Sequence, residues 1–297
     1  MRKLLLIVNP CSGRAKMKTE LLKVVEILSS GGYTVTVYPT KARADATRYV
    51  ETLEQNEYDL IVVCGGDGTL NEVITGMMHT GLHCTLGYIP SGTLNEWSSG
   101  LHIARSIPQA ATDIVNGKKI QLDIGQFGSS YFSYTASFGA FTDASYSAPQ
   151  DVKNVLGQAA YFFEGIKSLG NIKPVHLKFE TDDRTVEGDF LFGAISNSLS
   201  VGGIVKFDES VVKLNDGKFE VLLIHNPDTI LKLQPMIDGI LRQDFNREGI
   251  EFFTAKQILV TGKDGLSWTL DGEYARGAEA VTVQNVHNAI ELIVPQV

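Results

Sequence analysis

The chain has 297 residues, of which 43% are hydrophobic and 20% are charged, enough to bury the core of one large domain or two ordinary ones. This composition excludes a disordered or fibrous protein. With 26 Lys and Arg against 34 Asp and Glu, the formal net charge of -8 argues against nucleic-acid binding and general adsorption to anionic membranes, so any membrane contact should be local.

The first part of the chain alternates short apolar runs with segments of helical periodicity. This order predicts an α/β domain with a parallel sheet and helices on both of its faces. Ligands of such a sheet bind at the carboxyl ends of the strands. The predicted strands are residues 4–8, 33–38, 60–64 and 85–89, and the predicted helices are residues 21–28, 42–55, 69–79 and 104–116.

From about Lys119 onward, short runs of aromatic and β-branched residues dominate, which predicts a second domain rich in β-strands. The boundary is expected near Gly125, and the final apolar run, 290–295, fits either domain. The predicted strands are residues 120–127, 131–136, 175–180, 190–196, 219–224, 257–261 and 280–284, with helical insertions at 152–168 and 229–241.

The cysteines and the amino terminus favour a cytoplasmic protein. Cys11, Cys64 and Cys84 form no CxxC pair, so neither a disulfide framework nor a zinc site is indicated. The apolar run at residues 4–8 is too short for a signal peptide and is interpreted as a buried strand. Since no later run approaches the roughly 18 apolar residues of a membrane span, we expect a soluble or peripheral protein.

A glycine-rich loop follows the strand at residues 60–64, and a helical period begins directly after it. The loop reads GGDGT at residues 65–69. Glycines let the backbone approach an anion closely, and the amides at a helix start can bind phosphate. Asp67 would repel that phosphate and therefore needs magnesium or a hydroxyl-bearing substrate as a partner. The alternative is a turn aspartate bonded to its own backbone.

The pentapeptide GTLNE occurs twice, at residues 68–72 and 92–96, each time after a predicted strand. Two neighbouring strand ends would then face one ligand. An alternative is a helix capping box, in which Thr69 pairs with Glu72 and Thr93 with Glu96. Glu96 is also a candidate for a metal site or its water network, beside Asp67.

Three further turns carry candidate residues. The NPCSG turn at residues 9–13 offers Asn, Ser and backbone donors for a nucleotide. Asp271 and Gly272 form a hairpin signal, but the following Glu273 could accept a proton from a substrate hydroxyl. The NDG turn at residues 215–217 could hold a cation through Asp216, although a structural turn explains it adequately.

Taken together, these motifs resemble the diacylglycerol kinase catalytic-domain family, and in particular its soluble bacterial lipid kinases. The similarity rests on NPCSG, GGDGTLNE, GTLNE and DGE in this order, and it extends to the glycine pair Gly202-Gly203 and the NDG turn. It implies an NAD kinase/phosphofructokinase-like α/β domain at residues 1–124, to which residues 288–297 return. It further implies a β-rich, sandwich-like lipid-substrate domain at residues 125–287.

The resemblance also implies an ATP-dependent lipid kinase that uses Mg²⁺ and converts diacylglycerol to phosphatidic acid. Glu273 is the implied proton acceptor. Asp67, Glu96 and Asp123 would hold the catalytic magnesium and its waters, and Asp216 with the carbonyls of Lys213 and Lys218 would bind a second, structural magnesium. The implied ATP contacts are Asn9, Pro10, Cys11, Ser12, Gly13, Thr40, Gly65, Gly66, Asp67, Gly68, Thr69, Leu70, Asn71 and Thr93.

The sequence departs from the family pattern in two regions. Glu96 stands where the family usually has Asp, and Trp97-Ser98-Ser99-Gly100 follows where the family has a phenylalanine and an Ala-Arg pair. Asn215 replaces an acidic residue of the family's usual DDG turn, which removes a negative charge from the predicted structural metal site. The open alternatives are an NAD kinase-like nucleotide kinase and a non-catalytic lipid or nucleotide sensor. The expected partner is a membrane lipid at the bilayer surface, reached from the cytoplasmic side, with a homodimer left open and no nucleic acid expected.

Overall fold

The computed structural model describes residues 2–15, 17–92, 95–139, 173–201, 205–206, 212–227 and 229–296. The predicted helix at 152–168, Thr93 and the Gly202-Gly203 pair lie outside these residues. The chain divides into two compact units: the first comprises Met1–Ile124 and His287–Val297, and the second comprises Gly125–Val286. The predicted division was 1–124 with 288–297, and 125–287.

The first unit alternates strands and helices in the order expected from the sequence. Inner strands such as β1 and β3 are buried on both faces, and therefore their sequences are continuous apolar runs. The elements are β1 (Arg2–Val8), a 3-10 turn (Ser12–Ala15), α1 (Met17–Ser30), β2 (Tyr33–Pro39), α2 (Asp45–Val50), β3 (Leu60–Gly65), α3 (Asp67–Thr80), β4 (Thr85–Pro90), α4 (Glu96–Gly100), α5 (Ile107–Asn116) and β5 (Lys118–Phe127).

The sheet of the first unit has the strand order β17-β4-β3-β1-β2, where β17 (Ala280–Val294) is the last strand of the chain. All of these neighbours are parallel. Helix α1 packs with α5, and α2 packs with α3. The predicted α/β domain with a parallel sheet is confirmed. Because the strands share one direction, the loops after β1, β3 and β4 gather at one edge of the sheet.

The second unit is dominated by antiparallel strands, as predicted. Its sheet has the order β16-β15-β7-β9-β8-β14-β17, and β12 pairs with β9 and β13. Beyond β5 the described elements are β6 (Ser130–Phe132), β7 (Thr135–Gly139), β8 (Val175–Glu180), β9 (Thr185–Ser196), β10 (Ser200–Val201), β11 (Val205–Lys206), β12 (Phe219–His225), α6 (Ile230–Arg242), β13 (Ile250–Ala255), β14 (Gln257–Gly262), β15 (Ser267–Leu270), β16 (Glu273–Arg276) and β17.

An aromatic core fills one face of this sheet. Trp268 is 1% exposed, and its ring centroid lies 4.9 Å from those of Phe127 and Phe138. Phe138 in turn stacks on Phe179. Each such ring buries a large apolar area, so this cluster supplies much of the stability of the unit. Within the described residues, no helix is both long and apolar enough to span a membrane.

Several boundaries differ from the predictions, one of them because of a long-range contact. The strand expected at 131–136 is split into β6 and β7, since the amides of Ser133 and Tyr134 donate to the carboxylate of Asp271 instead. The helix expected at 42–55 is reduced to α2. Strand β13 was not predicted, and β17 continues unbroken through the polar residues that separated the two runs predicted there.

Glu72 explains how the short helix α2 begins. Its carboxylate accepts hydrogen bonds from the amides of Ala44 (2.7 Å) and Ala46 (3.2 Å), and α2 has no hydrogen bond from an N-cap side chain of its own. The capping-box interpretation of Thr69 and Glu72 is therefore wrong. Helix α3 already begins at Asp67, and the Glu72 carboxylate accepts the free amides at the start of a different helix, α2.

We expect Glu72→Ala to destabilise the protein by about 1 to 2 kcal/mol, because the amides of Ala44 and Ala46 lose their acceptor. Thermal unfolding of the full chain measures the effect as a lower Tm. Glu26→Ala is the control, since Glu26 is an exposed residue of α1. Equal Tm values for the two variants would contradict this role of Glu72.

Candidate active site

The ends of three parallel strands are joined by backbone and side-chain hydrogen bonds in the first unit. The amide of Asn9, after β1, donates to the Cys64 carbonyl at 2.9 Å, and the amide of Ser91, after β4, donates to the Gly65 carbonyl at 2.8 Å. The Asn9 side chain donates to Thr69 Oγ1 at 2.9 Å. The NPCSG turn and the first turn of α3 therefore form one connected surface.

Glycine is required where these loops approach each other most closely. Gly13 has a φ of 53°, and a Cβ atom placed on it would lie 1.7 Å from the Ser91 carbonyl oxygen. A Cβ atom on Gly92 would lie 2.6 Å from the Cα atom of Gly66. A cavity of about 350 Å³ in the first unit is lined by Gly13, Ser91 and Gly92 and also by Asn95. Bare backbone at such a cavity suits a bulky anion.

The amino terminus of α3 points its dipole at this edge of the sheet. The helix begins at Asp67, and its N-cap residue, Gly66, offers no side chain to satisfy the first amides. Such a terminus carries a partial positive charge and binds phosphate groups. Leu70 is 1% exposed, so its side chain belongs to the core and any contact it makes with a ligand is through the backbone.

Asp67 connects the two GTLNE loops. Its Oδ2 atom accepts the amide of Glu96 at 2.9 Å, and its Oδ1 atom accepts the Tyr88 hydroxyl at 3.4 Å. These partners lie 29 and 21 residues away, so the alternative of a turn aspartate bonded to its own backbone is wrong. Burial raises the pKa of Asp67 above its usual value, and the bonds from Glu96 and Tyr88 oppose this shift.

We expect Asp67→Asn to raise the Tm of the full chain at neutral pH. A carboxyl group whose pKa is raised by folding destabilises the folded state when it is ionised. The gain should shrink as the pH falls through the raised pKa, because Asp67 is then protonated in the wild type too. Tm values measured along a pH series test this, and a variant that is less stable than wild type at neutral pH would contradict it.

Asn95 is bonded to the backbone of Gly92 in the second GTLNE segment. Its Oδ1 atom accepts the Gly92 amide and its Nδ2 atom donates to the Gly92 carbonyl, both at 2.9 Å, while its backbone is left-handed with a φ of 50°. Asn tolerates this conformation better than most residues do. The Tyr88 hydroxyl lies 3.3 Å from the same Oδ1 atom. Asn95 is therefore bonded to Gly92 and lies next to Tyr88, whose hydroxyl also donates to Asp67.

The carboxylates predicted for the catalytic magnesium occupy different environments. Asp123 is fully buried in β5, where its Oδ1 atom accepts the amide of Asn288 at 2.7 Å and lies 2.9 Å from His287 Nδ1. Within the described residues, no three His, Cys, Asp or Glu side chains come together as a direct metal site. A magnesium held by Asp67, Glu96 and Asp123 through water molecules stays a prediction.

The other predicted ATP contacts lie at or near the same sheet edge. The Thr40 amide, after β2, donates to the Val8 carbonyl at 2.8 Å. Cys11 is exposed, and its amide donates to Asn9 Oδ1 at 3.0 Å, while Ser12 Oγ lies 2.5 Å from Ser91 Oγ. Asn71 Oδ1 accepts the Thr75 hydroxyl at 3.3 Å within α3. ATP binding by Pro10, Gly68 and these residues stays a prediction.

In the second unit, Asp271 and Gly272 form the tight turn between β15 and β16, as the hairpin interpretation predicted. Both have positive φ, 50° and 82°, and Leu270 pairs with Glu273 across the turn. The Asp271 side chain is only 8% exposed, and it accepts the amides of Ser133 at 2.5 Å and of Tyr134 and Thr135 at 3.0 Å. The neighbouring Glu273 is exposed.

Asp271 is a residue whose role the sequence analysis missed. Its buried carboxylate ties the hairpin that carries Glu273 to the start of β7. An Asp-Gly turn alone does not indicate a buried acid, because the three amides that it accepts lie more than 130 residues earlier in the chain.

The NDG turn is observed where it was predicted. Gly217 has a φ of 76°, and Asp216 Oδ1 accepts the Lys218 amide at 3.0 Å. The Lys218 carbonyl accepts Asn285 Nδ2 at 3.1 Å. Glu220, which the sequence analysis did not single out, is 1% exposed, and burial together with the charge of Asp216 raises the pKa of Glu220 to about 8.

The surroundings of this turn fit a magnesium ion. Glu220 Oε2 and Asn285 Oδ1 are buried, and neither has a hydrogen-bond partner among the residues that the structure describes. Carboxylate, amide and carbonyl oxygens are the ligands that Mg²⁺ and Ca²⁺ prefer. The predicted coordination by Asp216 and the carbonyls of Lys213 and Lys218 is therefore compatible with the chemistry of the neighbouring side chains.

Comparisons with known proteins cover the whole chain. Residues 3–127 match the diacylglycerol kinase catalytic domain, and residues 136–294 match the YegS C-terminal NAD kinase beta sandwich-like domain. The diacylglycerol kinase of Bacillus subtilis (strain 168) is 31% identical over 100% of this chain and 97% of its own. That of Staphylococcus saprophyticus subsp. saprophyticus is 32% identical over 98% and 94%.

A solved structure has the same fold as this chain. The crystal structure of a diacylglycerol kinase from Bacillus anthracis str. Sterne superposes with a TM-score of 0.80 at 25% sequence identity. The alignment covers 99% of this chain and 97% of that chain. The similarity therefore includes both units.

Proposed function

The chain belongs to the diacylglycerol kinase catalytic-domain family and is a kinase; on this premise we propose that it transfers the γ-phosphoryl group of ATP to the hydroxyl of a membrane lipid. The acceptor that the family suggests is diacylglycerol, which would become phosphatidic acid. The proposal also includes magnesium as the cofactor and the cytoplasmic face of the bilayer as the place of reaction.

The observation that carries this proposal is the convergence of three glycine-containing loops on the amino terminus of α3. The loops follow β1, β3 and β4, and their backbones approach so closely that Gly13 and Gly92 tolerate no side chain. Phosphoryl transfer depends mainly on positioning and on neutralising charge rather than on covalent chemistry. Backbone amides at a helix start provide both for a polyphosphate.

Each proposed residue role follows from its environment. Amides of the α3 terminus would hold the phosphates, and Asn9 would keep the NPCSG turn against Thr69. Glu273, exposed on its hairpin, would accept the proton of the lipid hydroxyl. Magnesium, when bound, would offset the negative charge on the transferred group. Burial of the acyl chains contributes about 0.8 kcal/mol per methylene, so the lipid can be recruited without a membrane-spanning anchor.

Labelled ATP tests the proposal directly. The protein is incubated with γ-labelled ATP, magnesium and vesicles that contain either diacylglycerol or other lipid alcohols, and the products are extracted into organic solvent. We expect label in phosphatidic acid and none with Asp67→Asn. Label in a water-soluble nucleotide would instead support the nucleotide kinase alternative. Binding of ATP without transfer to any lipid would support the sensor alternative.

A further inference from the structure

The hydroxyl of Tyr88 lies where the loops after β3 and β4 meet. Tyr88 belongs to β4 and is 1% exposed. Its hydroxyl oxygen lies 3.4 Å from the Gly65 carbonyl oxygen, 3.4 Å from Asp67 Oδ1 and 3.3 Å from Asn95 Oδ1. A buried tyrosine hydroxyl normally finds a hydrogen-bond partner, and all three of these neighbours are acceptors. The choice among them decides what this hydroxyl does.

The hydroxyl carries one hydrogen, and the other bonds of the three oxygens favour Asp67 as its acceptor. The Gly65 carbonyl already accepts the Ser91 amide at 2.8 Å. Asn95 Oδ1 already accepts the Gly92 amide at 2.9 Å. Hydrogen bonds to an ionised group are roughly twice as strong as those between neutral groups, so the carboxylate is the strongest of the three acceptors. The hydroxyl of Tyr88 therefore donates to Asp67.

Tyr88 donates to this carboxylate from the core of the sheet. Its strand, β4, pairs with β3 on one side and with β17 on the other, and its ring centroid lies 6.4 Å from that of Trp97. The other donors to the Asp67 carboxylate are the backbone amides of Glu96 and Trp97. Among the residues that the structure describes, Tyr88 is therefore the only side chain that donates to Asp67.

We infer that Tyr88 is a positioning residue, whose hydroxyl holds the Asp67 carboxylate in the orientation used for phosphoryl transfer. The Glu96 amide binds Oδ2 and the hydroxyl binds Oδ1, so each oxygen has a donor. Without the hydroxyl, Oδ1 loses its side-chain donor and the carboxylate can turn about its Cβ–Cγ bond. The inference rests on the proposed role of Asp67 in the transfer, and the sequence analysis assigned Tyr88 only to a strand.

Tyr88→Phe tests the inference, because it removes the hydroxyl and keeps the ring. Rates of transfer from γ-labelled ATP to vesicles containing diacylglycerol are measured for the full chain at varied ATP. We expect kcat to fall about tenfold and the KM for ATP to change less than threefold. The contact of 3.4 Å is longer than the usual O–H···O distance of about 2.7 Å, which favours this moderate loss. An unchanged kcat, or a loss explained entirely by KM, would overturn the inference.

Tyr38→Phe is the matched control, because Tyr38 is another tyrosine of the first unit whose hydroxyl donates to an aspartate, Asp45, at 3.3 Å. It should keep the wild-type kcat.

A second readout needs no turnover. Thermal unfolding of Tyr88→Phe, Asp67→Ala and the double variant forms a thermodynamic cycle. We expect Tyr88→Phe to lower Tm at least twofold less when Asp67 is already replaced, since the acceptor of the hydroxyl is then gone. Equal decreases in both backgrounds would overturn the inference. If the wild type transfers no label, the proposed function fails, and this cycle still decides whether Tyr88 holds Asp67.

Discussion

Replacing Glu273 with Gln is expected to lower lipid phosphorylation by at least about 100-fold while ATP binding stays unchanged. Gln has the same shape but cannot accept a proton at neutral pH, and a general base typically contributes about 10² to 10⁴ in rate. Glu273 is exposed at the start of β16, so its replacement should leave Tm unaltered. Initial rates at saturating ATP, with the affinity for ATP measured separately, give both quantities.

Glu279→Gln is the control for this variant, because Glu279 is another exposed acid of the second unit. It should retain the wild-type rate. Full turnover by Glu273→Gln would show that Glu273 is not the proton acceptor. A loss of ATP affinity that accounts for the entire decrease in rate would contradict this role as well, since a proton acceptor acts in the transfer step and not in binding the nucleotide.

Replacing the nearby Asp271 with Asn should lower stability rather than act on the transfer step: we expect the free energy of unfolding to fall by about 3 kcal/mol. Three backbone amides, those of Ser133, Tyr134 and Thr135, donate to this carboxylate. Bonds to a charged acceptor contribute about 1.5 to 3 kcal/mol each, and the amide group of Asn cannot accept all three. Asn also tolerates the left-handed backbone at this position, so the change removes the acceptor without straining the turn.

Asp264→Asn serves as the matched variant, because Asp264 also precedes a glycine with positive φ in a turn of the second unit. Its carboxylate is exposed and pairs only with the exposed Arg276 at 3.1 Å in the described residues, an interaction of little weight. Thermal and urea unfolding of both variants should separate them clearly. Similar stabilities would show that the three amides at residues 133–135 do not depend on Asp271.

The sequence was sufficient to predict the alternation of strands and helices in the first unit. Inner parallel strands are buried on both faces, so their apolar runs stand out, and a glycine loop directly after such a strand indicates where α3 begins. The approach of the loops after β1, β3 and β4 followed from the parallel order alone. The dominance of β-strands after Gly125 was also visible in the composition of the runs.

What could not be predicted are polar contacts between residues far apart in the chain. The Glu72 carboxylate accepts amides at the start of α2 rather than of its own helix, the Asp271 carboxylate accepts amides near residue 134, and Asn285 donates to the Lys218 carbonyl. Local spacing carries no information about such partners. The break between β6 and β7 was missed for the same reason, because it depends on an acceptor from another hairpin.

The division of β17 between the two units has a consequence for synthesis of the protein. Residues from His287 onward belong to the first unit, where Leu292 pairs with Leu86 of β4 and Asn288 donates to the buried Asp123. A nascent chain therefore holds β4 with an unpaired edge and Asp123 without this donor until the ribosome has made the second unit. The first unit is completed last, although it is translated first.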